Sequence, residues 1–319
     1  MKRLATFLAA TVLAGAAAAQ GAYPNKPIKF VVPFTAGSAT DIMARTIGDA
    51  MSRSMGQPVI IENKPGAGGT IGAAQVAKGD ADGYTILVHS SGHTLNPAIY
   101  PSLPYDTVKD LVGVTPIASL PNVMVVSPSR GWKTVADAVN AAKAKPGQLN
   151  YATAGMGSAT HLNAEKFKLQ AGIDAVHVPF KGTPEALSDV IGERSDWFFG
   201  PMAAALPLIR DGKLTALAVS TPTRAASLPN VPTTVEAGVA GSEYIFWVGM
   251  FAPSATPPAV VKRLNDEVLK ALASADVKDR LSRLGADPFP MSQEQFNTFL
   301  RSEVESAAKI AKAANLRAQ

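Results

Sequence analysis

One pattern governs what this chain can fold into: short β-branched runs, each followed by a loop of small residues and a stretch of helical spacing, in a series that occurs twice. Residues 28–33 (IKFVVP) form the first run and 35–39 its loop. Ile42, Ala44, Ile47 and Met51 then keep helical spacing, with Thr40 or Asp41 placed to cap the helix. Residues 59–62 begin a second unit, with loop 63–69 and helix 70–77, and 85–88 form a third strand ending in the polar loop 90–94. After Pro121 the series restarts: strands over 123–126, 149–152, 176–179 and 214–220 alternate with helices over 134–144, 161–171 and 185–191. Successive parallel strands need a crossover, which a helix supplies, so the alternation predicts mostly parallel sheets with helices on both faces.

Two series predict two domains. The expected fold class is α/β, as two doubly wound α/β domains joined by a hinge. Residues 246–252 (FWVGMFA) are apolar enough to run through a core between the domains. Residues 257–284 and 293–314 read as two or three amphipathic helices that return to the first domain. That assigns 23–124 plus 246–319 to a discontinuous first domain and 125–245 to a second, with a ligand cleft between them. Two crossings of the chain make a hinge, and closure about a hinge is a common means of ligand capture.

Lys2 and Arg3 precede an apolar run over 4–19, and polar Gln20 follows. Charge, apolar run and small residues at Ala17 and Ala19 come in the order of a secretory signal peptide. Residues 1–19 are therefore expected to be removed and the mature protein exported to the periplasm. The run falls short of the roughly 20 apolar residues that span a bilayer. The absence of cysteine excludes a disulfide, a thiol nucleophile and lipid attachment through an N-terminal cysteine. Of 30 basic residues, 28 remain without Lys2 and Arg3 and face 25 acidic ones, a surplus too small and dispersed for nucleic-acid binding.

In open α/β sheets, ligands bind at the carboxyl ends of strands, where helix N-termini present unpaired N–H groups and a positive dipole end. Loops 34–41, 90–94 and 153–161 occupy such places. They are rich in Gly, Ser, Thr and Ala and hold no Lys or Arg, so backbone N–H groups and hydroxyls are the donors on offer. That chemistry suits a carboxylate, although the same residues also serve ordinary turns and caps, as does the lone acid Asp41. Phe34 and Phe180 are placed either to wall a cleft or simply to pack. Catalysis has little support: no G-x-S-x-G or H-E-x-x-H occurs, and the stretch from Gly155 to Thr160 lacks the third glycine of a dinucleotide loop. His89 and His93 flank a loop without a nearby carboxylate, so neither a metal nor a cofactor is expected. The enzymatic alternative is a secreted hydrolase built from Ser158, His161 and Asp41.

Further segments, taken in order, carry a resemblance. They include YPNKP from Tyr23, VPF from Val32 leading to Thr40-Asp41, VIIENKPGAGG from Val59, DGYT from Asp82 and NPAIY from Asn96. LPYD from Leu103, PGQLNY from Pro146, HVPFKG from His177, NVPT from Asn230 and FAP from Phe251 follow. In these the chain resembles the Bug-type, or TctC-type, periplasmic solute-binding proteins that serve tripartite tricarboxylate transporters. The resemblance implies a Venus-flytrap fold of the periplasmic binding protein type II kind and a monomer without enzymatic activity or cofactor. The implied ligand is a small carboxylate, passed to a membrane permease or, alternatively, shown to a sensor kinase. Implied as ligand-binding are Phe34, Ala36, Gly37, Ser38, Thr40 and Asp41 in the first clamp, with Ser90 and Ser91 lining the cleft. Thr153, Ala154, Gly157 and Ser158 form the second clamp, with His161, Phe180 and Gly200 beside it. Two departures matter: Ser38 stands where the family commonly has glycine, and Phe199-Gly200-Pro201 lacks an Asp-Asn or Asp-Ser that relatives often carry. The space gained points to an aromatic dicarboxylate such as terephthalate, alongside aliphatic di- and tricarboxylates.

Overall fold

The computed structural model describes residues 23–317, and the expected leader over 1–19 lies outside the described residues. β1 (Ile28–Val32) pairs in parallel with β2 (Val59–Asn63) on one side and β3 (Thr85–Ser90) on the other. The crossovers are α1 (Ala39–Met55) and α2 (Thr70–Ala77). Side chains alternate across a strand, so β1 feeds two layers. Ile28, Phe30 and Val32 pack with Met43, Ile47 and Met51 of α1, whereas Val31 packs with Ala73 and Val76 of α2. The short helix α3 (Asn96–Ile99) and the strand β4 (Leu111–Leu120) complete this stretch.

The second sheet contains β5 (Asn122–Val126), β6 (Asn150–Thr153), β7 (Val176–Pro179), β8 (Trp197–Pro201) and β9 (Thr215–Val219), in the order β7-β6-β8-β5-β9. Its helices are α4 (Val135–Ala144), α5 (Ala159–Ala171), α6 (Thr183–Ile191) and α7 (Met202–Arg210). The chain then returns through β10 (Phe246–Pro253), α8 (Pro258–Ala273), α9 (Ala275–Arg283), β11 (Asp287–Pro288) and α10 (Gln293–Ala313). The first sheet thus runs β11-β4-β10-β3-β1-β2. Each sheet with its helices is a lobe, as expected of two α/β domains. Capping boxes begin α4, from Thr134 and Asp137, and α10, from Ser292 and Gln295.

The structure corrects the sequence reading at three points. The sheets are mixed, because β5 runs antiparallel to β8 and β9, and β10 antiparallel to β3 and β4. Both strands follow a crossing between lobes, so they enter at the end where the parallel strands finish: Asn122 pairs with Pro201, and Val248 with Ser90. Residues 246–252 do not run between domains but lie inside the first sheet, buried at every position. Residues 122–124, assigned to the first domain, pair as part of β5 in the second sheet. β4 was not anticipated, since it is buried on both faces and so shows no polar alternation. Pro116 within it lies beside a register shift, where a strand tolerates proline.

Candidate ligand site between the lobes

The carboxyl ends of β1, β3 and β6 converge with the start of β10 on one cavity between the lobes. Phe34, Ser38, Ala39 and Thr40 reach it from the loop after β1 and the first turn of α1, and Ser90 from the end of β3. The second lobe contributes Ala154, Ser158, Ala159 and Thr160, with Thr183 from the start of α6. Phe246, where the chain has just crossed back, completes the lining. None of these side chains is charged. The free space between the lobes here is about 10 Å³, room for about one water.

Two long helices therefore start at one cavity from opposite lobes. Ser38 precedes α1 and Ser158 precedes α5, both in extended conformation. The first N–H groups of a helix have no partner within it and carry the positive end of its dipole. The local folding of the second loop follows from hydroxyls: Ser158 Oγ accepts the N–H of His161 (3.2 Å), and Thr160 Oγ1 accepts the N–H of Ala154 (2.9 Å). Helix ends and hydroxyls without a competing cation or anion make a site that favours a carboxylate.

The lobes touch around this cavity. Tyr100 Oη donates to the carbonyl of Met156 (2.8 Å), and Ser91 Oγ lies 2.8 Å from Tyr244 Oη. Thr35 Oγ1 donates to Glu185 Oε2 (2.9 Å), and the N–H of Thr183 donates to Ser38 Oγ (3.1 Å). At Gly68 a Cβ would sit 1.9 Å from the carbonyl oxygen of Met156, and at Gly92 one would sit 2.5 Å from the nitrogen of Ala159. Backbone meets backbone there, in a closed arrangement that only glycine permits.

Residues 43–316 match the tripartite tricarboxylate transporter family receptor, TctC. The chain belongs to this family. It is 35% identical to protein BugT of Bordetella pertussis over 290 residues, which is 90% of this chain and 89% of that one. Among solved structures it resembles Rpa4515 of R. palustris with adipate, at 35% identity and a TM-score of 0.89 over 92% of this chain and 99% of that one. MatC of Rhodopseudomonas palustris with bound malate is similar at 32% identity and a TM-score of 0.86, over 90% of this chain and 99% of that one.

Within this receptor, Phe34, Ser38, Thr40, Ser90, Ala154 and Ser158 are the anticipated residues that line the cavity. The others lie around it. Ala36 and Gly37 are exposed at the tip of the first loop. Asp41 is not the cap of α1 but its third residue, and its carboxylate accepts from the Gly37 N–H (2.9 Å), Arg45 Nε (2.9 Å) and Asn63 Nδ2 (2.9 Å). Burial opposes the Asp41 charge, but these donors outweigh it and hold the carboxyl below its usual range. Ser91 is engaged by Tyr244, and half-buried Phe180 packs on the second lobe's core. Gly200 lies within β8, where a Cβ would sit 3.1 Å from the Phe198 ring, so its missing side chain does not enlarge the cavity.

Thr153, Gly157 and His161 hold the second loop from behind. Thr153 Oγ1 accepts the Gly155 N–H (3.1 Å) and lies 2.6 Å from His177 Nε2. The Gly157 N–H donates to His161 Nδ1 (3.3 Å), which requires a neutral ring with its proton on Nε2. Burial, reinforced by Lys168, pushes the His161 pKa down to about 3. The His161 ring stacks on His177 (4.2 Å between centroids), which stacks on Tyr151, and Tyr151 Oη bonds the Glu165 carboxylate that also pairs with Lys168. The hydrolase set is thereby unassembled: Ser158 Oγ serves a backbone N–H, the His161 ring accepts another, and Asp41 pairs with Arg45 in the other lobe.

Sequence reasoning did not name five cavity residues: Ala39, Ala159 and Thr160, which lie within the loops it singled out, and Thr183 and Phe246, which lie outside them. The strand-to-helix rule that picked out three loops also applies to the turn after β7, which leads into α6. Phe246 carried no such signal. Among the described residues no group of three or more His, Cys, Asp or Glu is placed to hold a metal. His89 and His93 are buried beside Phe34, Tyr105 and Phe251.

Proposed function

We propose that this receptor captures a small dicarboxylate between its lobes in the periplasm and presents it to the membrane permease of a tripartite transporter. One observation carries the reading: the N-termini of α1 and α5, from different lobes, meet at a cavity whose lining holds no charged side chain. A ligand with a carboxylate at each end satisfies both positive helix ends, and by bridging them it favours closure. Adipate on Rpa4515 and malate on MatC support this class. In this reading Ser38, Thr40, Ser90, Ser158, Thr160 and Thr183 supply hydroxyl donors, and Phe34 and Phe246 cover the apolar middle of the ligand. Asp41, Thr153, Gly157 and His161 shape the clamps without touching it. The moving bodies are 23–121 with 246–317, and 122–245, and export follows from the leader over 1–19. Terephthalate belongs among the candidates as a rigid dicarboxylate, although Gly200 lends it no room.

The test is thermal unfolding of residues 20–319 against adipate, malate, citrate, terephthalate, glutamate and nicotinate. A ligand that binds only the native state adds about 2.7 kcal/mol at a hundredfold excess over its dissociation constant. Dicarboxylates should raise the midpoint and nicotinate, with one carboxylate, should not. A midpoint unmoved by every dicarboxylate would refute the reading.

A further inference from the structure

We propose that Thr35 and Ser38 of the first lobe cap helix α6 of the second, and that this cap across the cleft couples ligand capture to closure. The ligand half of the idea rests on the dicarboxylate reading above. Helix α6 follows Gly182, which has no side chain with which to cap it. Two bonds to its first turn come instead from the opposite lobe. The N–H of Thr183 donates to Ser38 Oγ (3.1 Å), and Glu185, the third residue of the helix, accepts from Thr35 Oγ1 (2.9 Å). Ser38 stands at the cap position of α1 yet makes no side-chain bond to that helix, whereas the caps of α4, α5 and α10 each bond their own.

Gly182 shows what the arrangement requires. Its backbone (φ −175°, ψ −179°) is extended and open to any residue. A Cβ there would nevertheless lie 1.9 Å from Thr35 Oγ1 and 2.6 Å from Ser38 Oγ. The glycine answers to the other lobe, not to its own turn. On the facing side, a Cβ at Gly37 would sit 3.5 Å from Pro184, so loop and turn pack closely.

Ser38 also lines the cavity. Its oxygen accepts the Thr183 N–H, and its hydroxyl hydrogen, which otherwise faces Thr35 Oγ1 at a long 3.5 Å, can turn to a carboxylate oxygen. A hydroxyl that donates to an anion becomes a better acceptor, and the reverse holds too. Each bond strengthens the other, so a bound carboxylate favours the closed cap.

Calorimetry with adipate and small-angle scattering on the full mature chain test this. Gly182→Ala should weaken adipate binding at least about tenfold and abolish adipate-induced compaction, while still unfolding cooperatively. Thr35→Val and Glu185→Ala remove one shared bond without adding bulk. Each should weaken binding about fivefold to tenfold, and the double variant no further than either single one. Wild-type affinity and compaction in Gly182→Ala, or additive losses in the double variant, would overturn the cap. A wild-type protein that no dicarboxylate stabilises or compacts would instead refute the dicarboxylate reading. The cap is then judged on the ligand-free chain, where equal radii of gyration for wild type and Gly182→Ala refute it.

Discussion

A histidine shut away from water is held neutral; three of the four in this protein are buried, and His177 is half-buried against His161 and Tyr151. His89, His161 and His177 are each pushed down to about 3, by burial first of all, and His93 well below its ordinary value for the same reason. An unfolded histidine titrates near 6.5, so between that pH and about 3 the unfolded chain binds more protons than the folded one. Their contribution is complete above about pH 6.5 and is lost as the pH falls toward 3. At pH 5 a histidine held near 3 costs on the order of 2 kcal/mol. Melting temperatures should therefore drop between pH 7 and 5, and His177→Phe, which keeps a ring between Tyr151 and His161, should flatten that slope. An unchanged slope would rule out His177 as a source of the sensitivity. Asp41 is the acidic counterpart: Asp41→Asn loses the Arg45 ion pair and should lower stability by about 1–3 kcal/mol in urea unfolding at constant m. The sequence marked Asp41 as a cap or a ligand contact, but its partner Asn63 lies at the end of β2, and no local pattern reports such a pairing.

At the scale of elements, the close seating of α10 depends on two glycines. A Cβ at Gly113 of β4 would sit 2.7 Å from the Phe296 ring, and one at Gly249 of β10 would sit 2.6 Å from it. Without those side chains Phe296 and Leu300 press onto the sheet, while Ala307 and Ala311 reach Leu162 of α5 in the other lobe. Gly249→Ala should overpack this contact and cost about 1–3 kcal/mol, read from a shifted urea midpoint. Strand–loop–helix units were legible because their parts are neighbours in sequence: β1 with α1, β6 with α5, β7 with α6. β4 and β8 were not, since strands buried on both faces show no alternation, nor was α7, whose sequence is apolar up to Arg210 and contains Pro207.

For the whole molecule, the closed cavity sets a limit. A space of about 10 Å³ accepts about one water, far less than a dicarboxylate. A complex with adipate should therefore hold its lobes further apart than this structure does, yet nearer than a ligand-free open form. Crystal structures of the liganded and ligand-free chain measure that angle, and an adipate complex superposing on this structure without lobe displacement would contradict the expectation. In that complex the Thr183 to Ser38 cap should persist, so the displacement should fall on the other bonds that span the lobes, such as Tyr100 to Met156.

What the sequence determined by itself was local and ordered along the chain: two series of α/β units, the small-residue loops at strand ends, and motifs at recognisable spacing. Those properties depend on periodicity and turn chemistry, which act over a few residues. Tertiary structure alone decided which loops meet, that Phe246 and Thr183 line the cavity, and that β10 lies inside the first sheet. It alone showed that Gly182 is a glycine for the sake of Thr35, a residue 147 positions away in the other lobe. Contacts of that kind are set by how two rigid lobes approach, and nothing in the neighbouring sequence encodes the distance between them.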